Sequence, residues 1–195
     1  EALVVEVDDD RGDGKVARAA TRSQADRVAL AEAILLGQDA RDKDGIPRVQ
    51  PVGETGRIVG VELSPDMLAL ARGRCARQGW RNVTLIESAM ETAQIPGPVD
   101  AILFNFTHDV LRSPAALERI FAAARPGARV AVAGMKLAPW WLAPANLIVW
   151  AQARPYMTTF EGLRTPWDLL EDHLAGFERE SVLFGTGYIG WGTAR

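Results

Sequence analysis

Cysteine is almost missing from this 195-residue chain: Cys75 stands alone, which excludes an internal disulfide and any metal site built on paired thiolates. Histidine is nearly as scarce. His108 and His173 lie far apart with no cysteine beside them, so no metal site is expected. No stretch stays apolar over the roughly 20 residues that a bilayer crossing needs. The most apolar segment, residues 137–153, contains Pro139, Pro144 and the adjacent Trp140 and Trp141; it is suited to peripheral contact with a membrane, not to crossing one. Basic excess is lacking as well. Lys and Arg number 22 against 25 Asp and Glu, a net charge of -3, and the basic residues are scattered, which argues against a nucleic-acid partner. The chain shows neither internal repeats nor low-complexity tracts, and its start does not read as a secretory signal. A cytoplasmic protein is the expectation.

What is present is an ordinary globular composition, 48% hydrophobic and 24% charged, enough for a single domain over residues 1–195 with one sizeable core. From residue 56 onward strands and helices alternate. Residues 58–61 are an apolar run of strand length, followed by the helical spacing of Met67, Leu68, Leu70, Ala71 and Cys75. Residues 83–87 read as a short strand, 88–94 as a helical turn stopped by Pro96, and 100–106 as a strand buried on both faces. Ser113 and Pro114 form a capped helix start, residues 115–124 carry that helix, and residues 129–134 are the next strand. Strands separated by helices imply a parallel sheet. Residues 178–184 and 187–193, joined through Gly185 and Thr186, are too closely connected for anything but an antiparallel pair. The expected fold is therefore α/β, a doubly wound and mostly parallel sheet ending in an antiparallel hairpin.

The sharpest chemical signal is Glu62, an acidic residue at the end of a strand, followed by Leu63 and the helix-opening Ser64, Pro65 and Asp66. One carboxylate at the carboxyl edge of a parallel sheet accepts hydrogen bonds from both vicinal hydroxyls of a ribose. Residues 56–67 (GRIVGVELSPDM) resemble the second strand and following turn of the class I S-adenosylmethionine-dependent methyltransferases. Residues 125–133 (RPGARVAVA) resemble the fifth-strand region of that family, and 100–106 sit where its fourth strand belongs. Residues 105–109 (NFTHD) and 184–190 (FGTGYIG) look like the group that acts on small molecules and lipids. The resemblance covers residues 56–195. It implies a Rossmann-like methyltransferase fold, S-adenosylmethionine as cofactor and a small-molecule acceptor. A nicotinamide-dependent reductase shares the strand-end acid but not the terminal hairpin.

The same resemblance implies the site. Glu62 and Leu63 would hold the nucleoside, Ala89 and Met90 would border the adenine, and Asn105 and Phe106 would line the cofactor after the fourth strand. His108, two residues further on, is the candidate catalytic base, because an imidazole removes a proton from an acceptor near neutral pH. Trp140, Trp141 and Tyr156 would contact the acceptor from an aromatic helical lid over residues 137–175. Two departures stand out. Ala89 occupies the position where the family often has an acid for the adenine amine. Residues 1–55 are atypical and contain no G-x-G-x-G turn, the element whose bare N–H groups approach the cofactor. The first strand is either 34–37, with Gly37 after it, or 3–7, with Gly12 and Gly14 after it. The competing expectation is a catalytically impaired member of the fold that serves as a binding or interaction module.

Overall fold

The computed structural model describes residues 2–8, 56–139, 141, 146–147 and 160–195. Among them are seven strands: β1 (Ala2–Asp8), β2 (Gly56–Glu62), β3 (Val83–Glu87), β4 (Val99–Asn105), β5 (Ala124–Met135), β6 (Leu174–Val182) and β7 (Gly187–Ala194). They form one sheet in the order β3-β2-β1-β4-β5-β7-β6. β2 pairs parallel with β3, and β4 with β5. β1 is antiparallel to both β2 and β4, and β7 is antiparallel to both β5 and β6. Five strands thus share a direction, and β1 and β7 oppose it. The common direction and the terminal hairpin agree with the α/β expectation.

The reversal of β1 is a departure from it. Asp8 is level with Gly56, and Ala2 is level with Glu62 and Asn105. The chain therefore enters β1 at the Glu62 edge and leaves it at the opposite edge, where β2 begins. Residues 3–7 are a strand, but the glycines after it do not follow a strand end at the Glu62 edge, as a cofactor turn would. The other expected first strand, 34–37, lies outside the described residues.

Local chemistry explains the helices. In α1 (Pro65–Gln78), Ser64 accepts a bond from the Met67 N–H, Pro65 fills the first turn, and Gly79 closes the end at φ 68°. The Gly79 and Trp80 amides then return to the Ala76 and Cys75 carbonyls, as a left-handed helix stop requires. α2 (His108–Leu111) is a single turn, and α3 (Pro114–Ala123) repeats the serine–proline start at Ser113 and Pro114. The expected helical turn at 88–94 is a pair of tight turns instead, with Thr92 and Ala93 amides bonded to the Ala89 and Met90 carbonyls. β5 starts five residues earlier than expected, at Ala124 rather than Arg129. A register shift opposite Val99 and Ala101 absorbs Pro126 and Gly127, as bulges do.

The core lies against the centre of the sheet. Val59, Ile102, Phe104, Val130 and Val132 pack with Leu117 and Ile120 of α3, Leu170 of α4 (Asp168–Glu171), Leu174 and Tyr188. Each such side chain contributes about 1.5–3 kcal/mol by leaving water. Gly134 has a steric reason: a Cβ there would lie 3.0 Å from the Tyr188 ring. Trp167, one of the aromatics assigned by sequence to the lid region, instead meets Tyr188 edge to face at 4.9 Å and belongs to this core.

Candidate functional site

The ends of the co-directed strands gather at one edge of the sheet. Glu62 of β2 is level with Glu87 of β3, and Asn105 of β4 with Ala133 of β5. Doubly wound sheets bind ligands outside this carboxyl edge. Glu62 does not behave as a solvated strand-end charge: it is 5% exposed, and its Oε1 accepts the Ser64 N–H at 2.8 Å. Burying a carboxylate is costly unless donors surround it, and the Ser64 amide is one such donor. Leu63, beside it, is 66% exposed, an apolar side chain held in solvent next to a buried acid.

Across the edge, the Ser88 amide donates to the Glu62 carbonyl at 3.3 Å, which ties the turn carrying Ala89 to the end of β2. Ala89 is half-buried there. Met90 turns inward, 5% exposed and packed in the core with Val59 and Val61.

The turn after β4 has the most unusual chemistry. Phe106 adopts φ 55°, a left-handed conformation that costs a residue with a Cβ about 1–3 kcal/mol; its amide is held by the Ala133 carbonyl at 2.9 Å. Thr107 is 1% exposed and occupies the cap position of α2, yet its hydroxyl caps nothing. Buried and without a hydrogen-bond partner among the described residues are Asn105 Oδ1, Thr107 Oγ1 and His108 Nδ1. Buried polar atoms are ordinarily satisfied. Three such atoms lie within four residues.

His108 is 7% exposed. Its Nε2 lies 3.0 Å from the Glu161 carbonyl; a carbonyl only accepts, so Nε2 carries the proton and Nδ1 the lone pair. Burial holds the ring below its ordinary value of 6.5, opposed by the Glu161 hydrogen bond and the Asp109 charge, while Arg112 adds to the lowering. The imidazole is thus neutral at pH 7 and suited to act as a base. Glu161 lies 53 residues away in sequence, and no motif announces it. Neighbouring Gly162 adopts φ 74°, and a Cβ there would lie 2.8 Å from the Arg112 guanidinium. The Leu137 amide donates to the Leu163 carbonyl at 2.8 Å. The 160–163 turn is therefore fastened to the ends of both β4 and β5.

Of the aromatic acceptor contacts expected from sequence, Trp141 is 66% exposed; Trp140 and Tyr156 lie outside the described residues. Next to Trp141's segment, Asn146 clasps Ala138 through both its amide and its carbonyl, at 2.7 and 3.0 Å. Lys136, at the end of β5, is lowered from its ordinary value by burial. A groove of ≈ 470 Å³ lined by Gln94, Ile95, Pro98 and Arg119 lies at the opposite, amino edge of β4 and β5. It offers a single cation and no convergent chemistry.

For S-adenosylmethionine, the groups available at the nucleoside end are Glu62, a buried acid that accepts the Ser64 amide, and Leu63, an exposed apolar face beside it. At the amino-acid end, the described residues place the start of β1 between Glu62 and Asn105, where a glycine turn would otherwise supply bare N–H groups.

A family model described as a methyltransferase domain matches residues 47–127. No curated protein sequence matches. Among solved structures, a protein from Bacillus halodurans assigned as a methyltransferase superposes with a TM-score of 0.51 at 10% identity, over 70% of this chain and 81% of that one. An O-methyltransferase family protein from Burkholderia thailandensis gives 0.50 at 19% identity, over 67% of this chain and 41% of that one. A SAM-dependent methyltransferase from Aquifex aeolicus gives 0.46 at 22% identity, over 74% and 72%. The first two share the fold, and the family model covers the segment that carries Glu62 and β4. Over residues 47–127 the chain is thus similar to a methyltransferase domain, and it shares the fold of the first two structures.

Proposed function

We propose that this chain is an S-adenosylmethionine-dependent methyltransferase acting on a small or lipid-like acceptor, with Glu62 holding the cofactor's ribose and His108 serving as the base. The observation that carries the reading is Glu62: a carboxylate 5% exposed at the end of a strand on the ligand-binding edge, with Oε1 oriented by the Ser64 amide. When bound, the cofactor supplies a methyl group activated on a sulfonium. Leu63 offers its exposed side chain to the adenine face, and the Ala89 turn borders it. Asn105 and Phe106 follow β4 and line the space between the nucleoside and the acceptor. His108 Nδ1 takes the proton that the accepting atom must lose, while the Glu161 carbonyl keeps the other ring nitrogen protonated. Trp141, and with it Trp140 and Tyr156 in sequence, would wall the acceptor from water, which alignment of a reactive pair requires.

A second reading is favoured by one observation, the reversed β1. A chain that keeps the fold but brings no glycine turn to the Glu62 edge would bind a ligand or partner there without turnover. Calorimetry with S-adenosylhomocysteine separates the two. Binding is expected, and Glu62→Ala should weaken it roughly tenfold or more, the worth of a charge-assisted hydrogen bond. Absence of heat and of any thermal shift at millimolar ligand would leave only the second reading.

A further inference from the structure

Three lone-pair groups cluster in the turn after β4: Asn105 Oδ1, Thr107 Oγ1 and His108 Nδ1, all buried and without a hydrogen-bond partner among the described residues. Thr107 is 1% and His108 7% exposed, so solvent does not satisfy them, and each leaves a desolvated polar atom uncompensated. Their chemistry is one-sided. A carbonyl oxygen accepts only, a neutral imidazole nitrogen without a proton accepts only, and the threonine hydroxyl does either. The missing partner is therefore a group rich in donors.

We propose that Asn105, Thr107 and His108 form an amine pocket, so that the acceptor of this methyltransferase is a primary or secondary amine; this rests on the function proposed above. A primary ammonium carries three N–H donors, a hydroxyl one, and a carboxylate none. The charges beside the pocket suit a cation: Asp109 adjoins His108, and the opposing cation, Arg112, lies against Gly162. The reaction balances with these groups. An N–H of the ammonium gives its proton to His108 Nδ1, the freed nitrogen lone pair forms the N–C bond to the methyl carbon, and the C–S bond breaks with its electron pair remaining on sulfur. His108 then releases the proton to solvent. The 160–163 turn is fastened to His108 through the Glu161 carbonyl and fixes the ring that presents Nδ1.

The test uses the full chain saturated with S-adenosylhomocysteine and three probes of one length: hexylamine, hexanol and hexanoate. Hexylamine should bind at least tenfold more tightly than either of the others at pH 7. Thr107→Val, which keeps the shape and removes the hydroxyl, should lower that affinity about tenfold, and Thr107→Ser should restore it, both with cofactor affinity unchanged. In the wild type, the ¹⁵N resonance of His108 Nδ1 should report an unprotonated nitrogen and shift on adding hexylamine but not hexanoate. Equal or tighter binding of hexanol or hexanoate, or an amine affinity indifferent to Thr107→Val, overturns the inference. Failure of S-adenosylhomocysteine to bind would instead overturn the proposed function, and the amine preference would then be read on the ligand-free chain.

Discussion

Two strands run against the other five, and they do so for different reasons. β7 is reversed because Leu183–Gly185 is a tight 3₁₀ connection from β6, and a connection that short leaves no other direction. β1 is reversed with no local cause. Its direction follows from where the chain leaves it, at Asp8 beside Gly56, with residues 9–55 between. Reversal at the hairpin leaves the ligand edge intact. Reversal at β1 exchanges a strand end for a strand start beside Glu62. The same geometric event is therefore silent in one place and chemically consequential in the other.

The largest expected effects come from breaking each strand in turn. Tyr188 of β7 is 2% exposed and packs on Trp167, and burial pushes its hydroxyl above the ordinary range. Tyr188→Ala should cost about 3–5 kcal/mol in urea unfolding. Val5→Pro should cost at least about 3 kcal/mol, taking the helix-interior proline as a guide, because β1 pairs on both sides and proline is excluded from central strands. A loss under 1 kcal/mol for Val5→Pro would remove β1 from the sheet and with it the contrast.

Direction itself is the next point to break. Val7 is the antiparallel partner of Arg57, and Leu3 of Val61. In a Cys75→Ser background, the pairs Val7→Cys with Arg57→Cys and Leu3→Cys with Val61→Cys should each crosslink on mild oxidation, since facing residues lie within disulfide reach. Val7→Cys with Val61→Cys, the combination that a parallel β1 would favour, should not.

How far sequence carries differs along the same line. The strands from Gly56 to Asn105, the helix starts at Ser64 and Ser113, and the terminal hairpin are legible because a few adjacent residues cause each: a cap, a proline, a glycine stop, an alternation. Glu62 and His108 were legible as residues of the sheet edge because a strand end fixes their place there. What was not legible depends on distant chain. Nothing near residue 3 encodes the direction of β1. The Glu161 carbonyl that sets the His108 tautomer is backbone and leaves no residue signature. Met90 was read as an adenine contact, but its turn is tight enough to send the side chain into the core. Thr107 was visible only as a neighbour of Asn105, because an uncapped hydroxyl is a property of packing.

Between the reversed strands, β4 delivers His108, and its titration sharpens the comparison at smaller scale. Burial lowers its folded-state value below 6.5, so the unfolded chain binds the proton more readily. Stability should then fall as pH drops below about 6.5, the ordinary value, and level off once the folded-state value is passed. His108→Gln keeps an N–H for the Glu161 carbonyl and removes the titration, so the pH-dependent part of its urea midpoint should vanish over that window. If wild type and variant lose stability in parallel, the burial of His108 does not couple to the fold.

The smallest effect is expected at the amino edge, farthest from both reversals' ligand-side ends. Arg125 of β5 donates to Asp100 of β4 at 2.9 Å, with side chains 50% and 28% exposed. The geometry is good, but solvent screens an exposed pair and fixing two side chains costs entropy, so such bridges contribute about 0–1 kcal/mol. Arg125→Ala should therefore lower stability by less than about 1 kcal/mol, and the loss should shrink further in 1 M salt, where screening acts over about 3 Å. A larger, salt-insensitive loss would mean that the bulge at Pro126 and Gly127 depends on the Arg125 side chain. The hold of β4 on β5, on the side away from β1, would then rest on the bulge and not on charge.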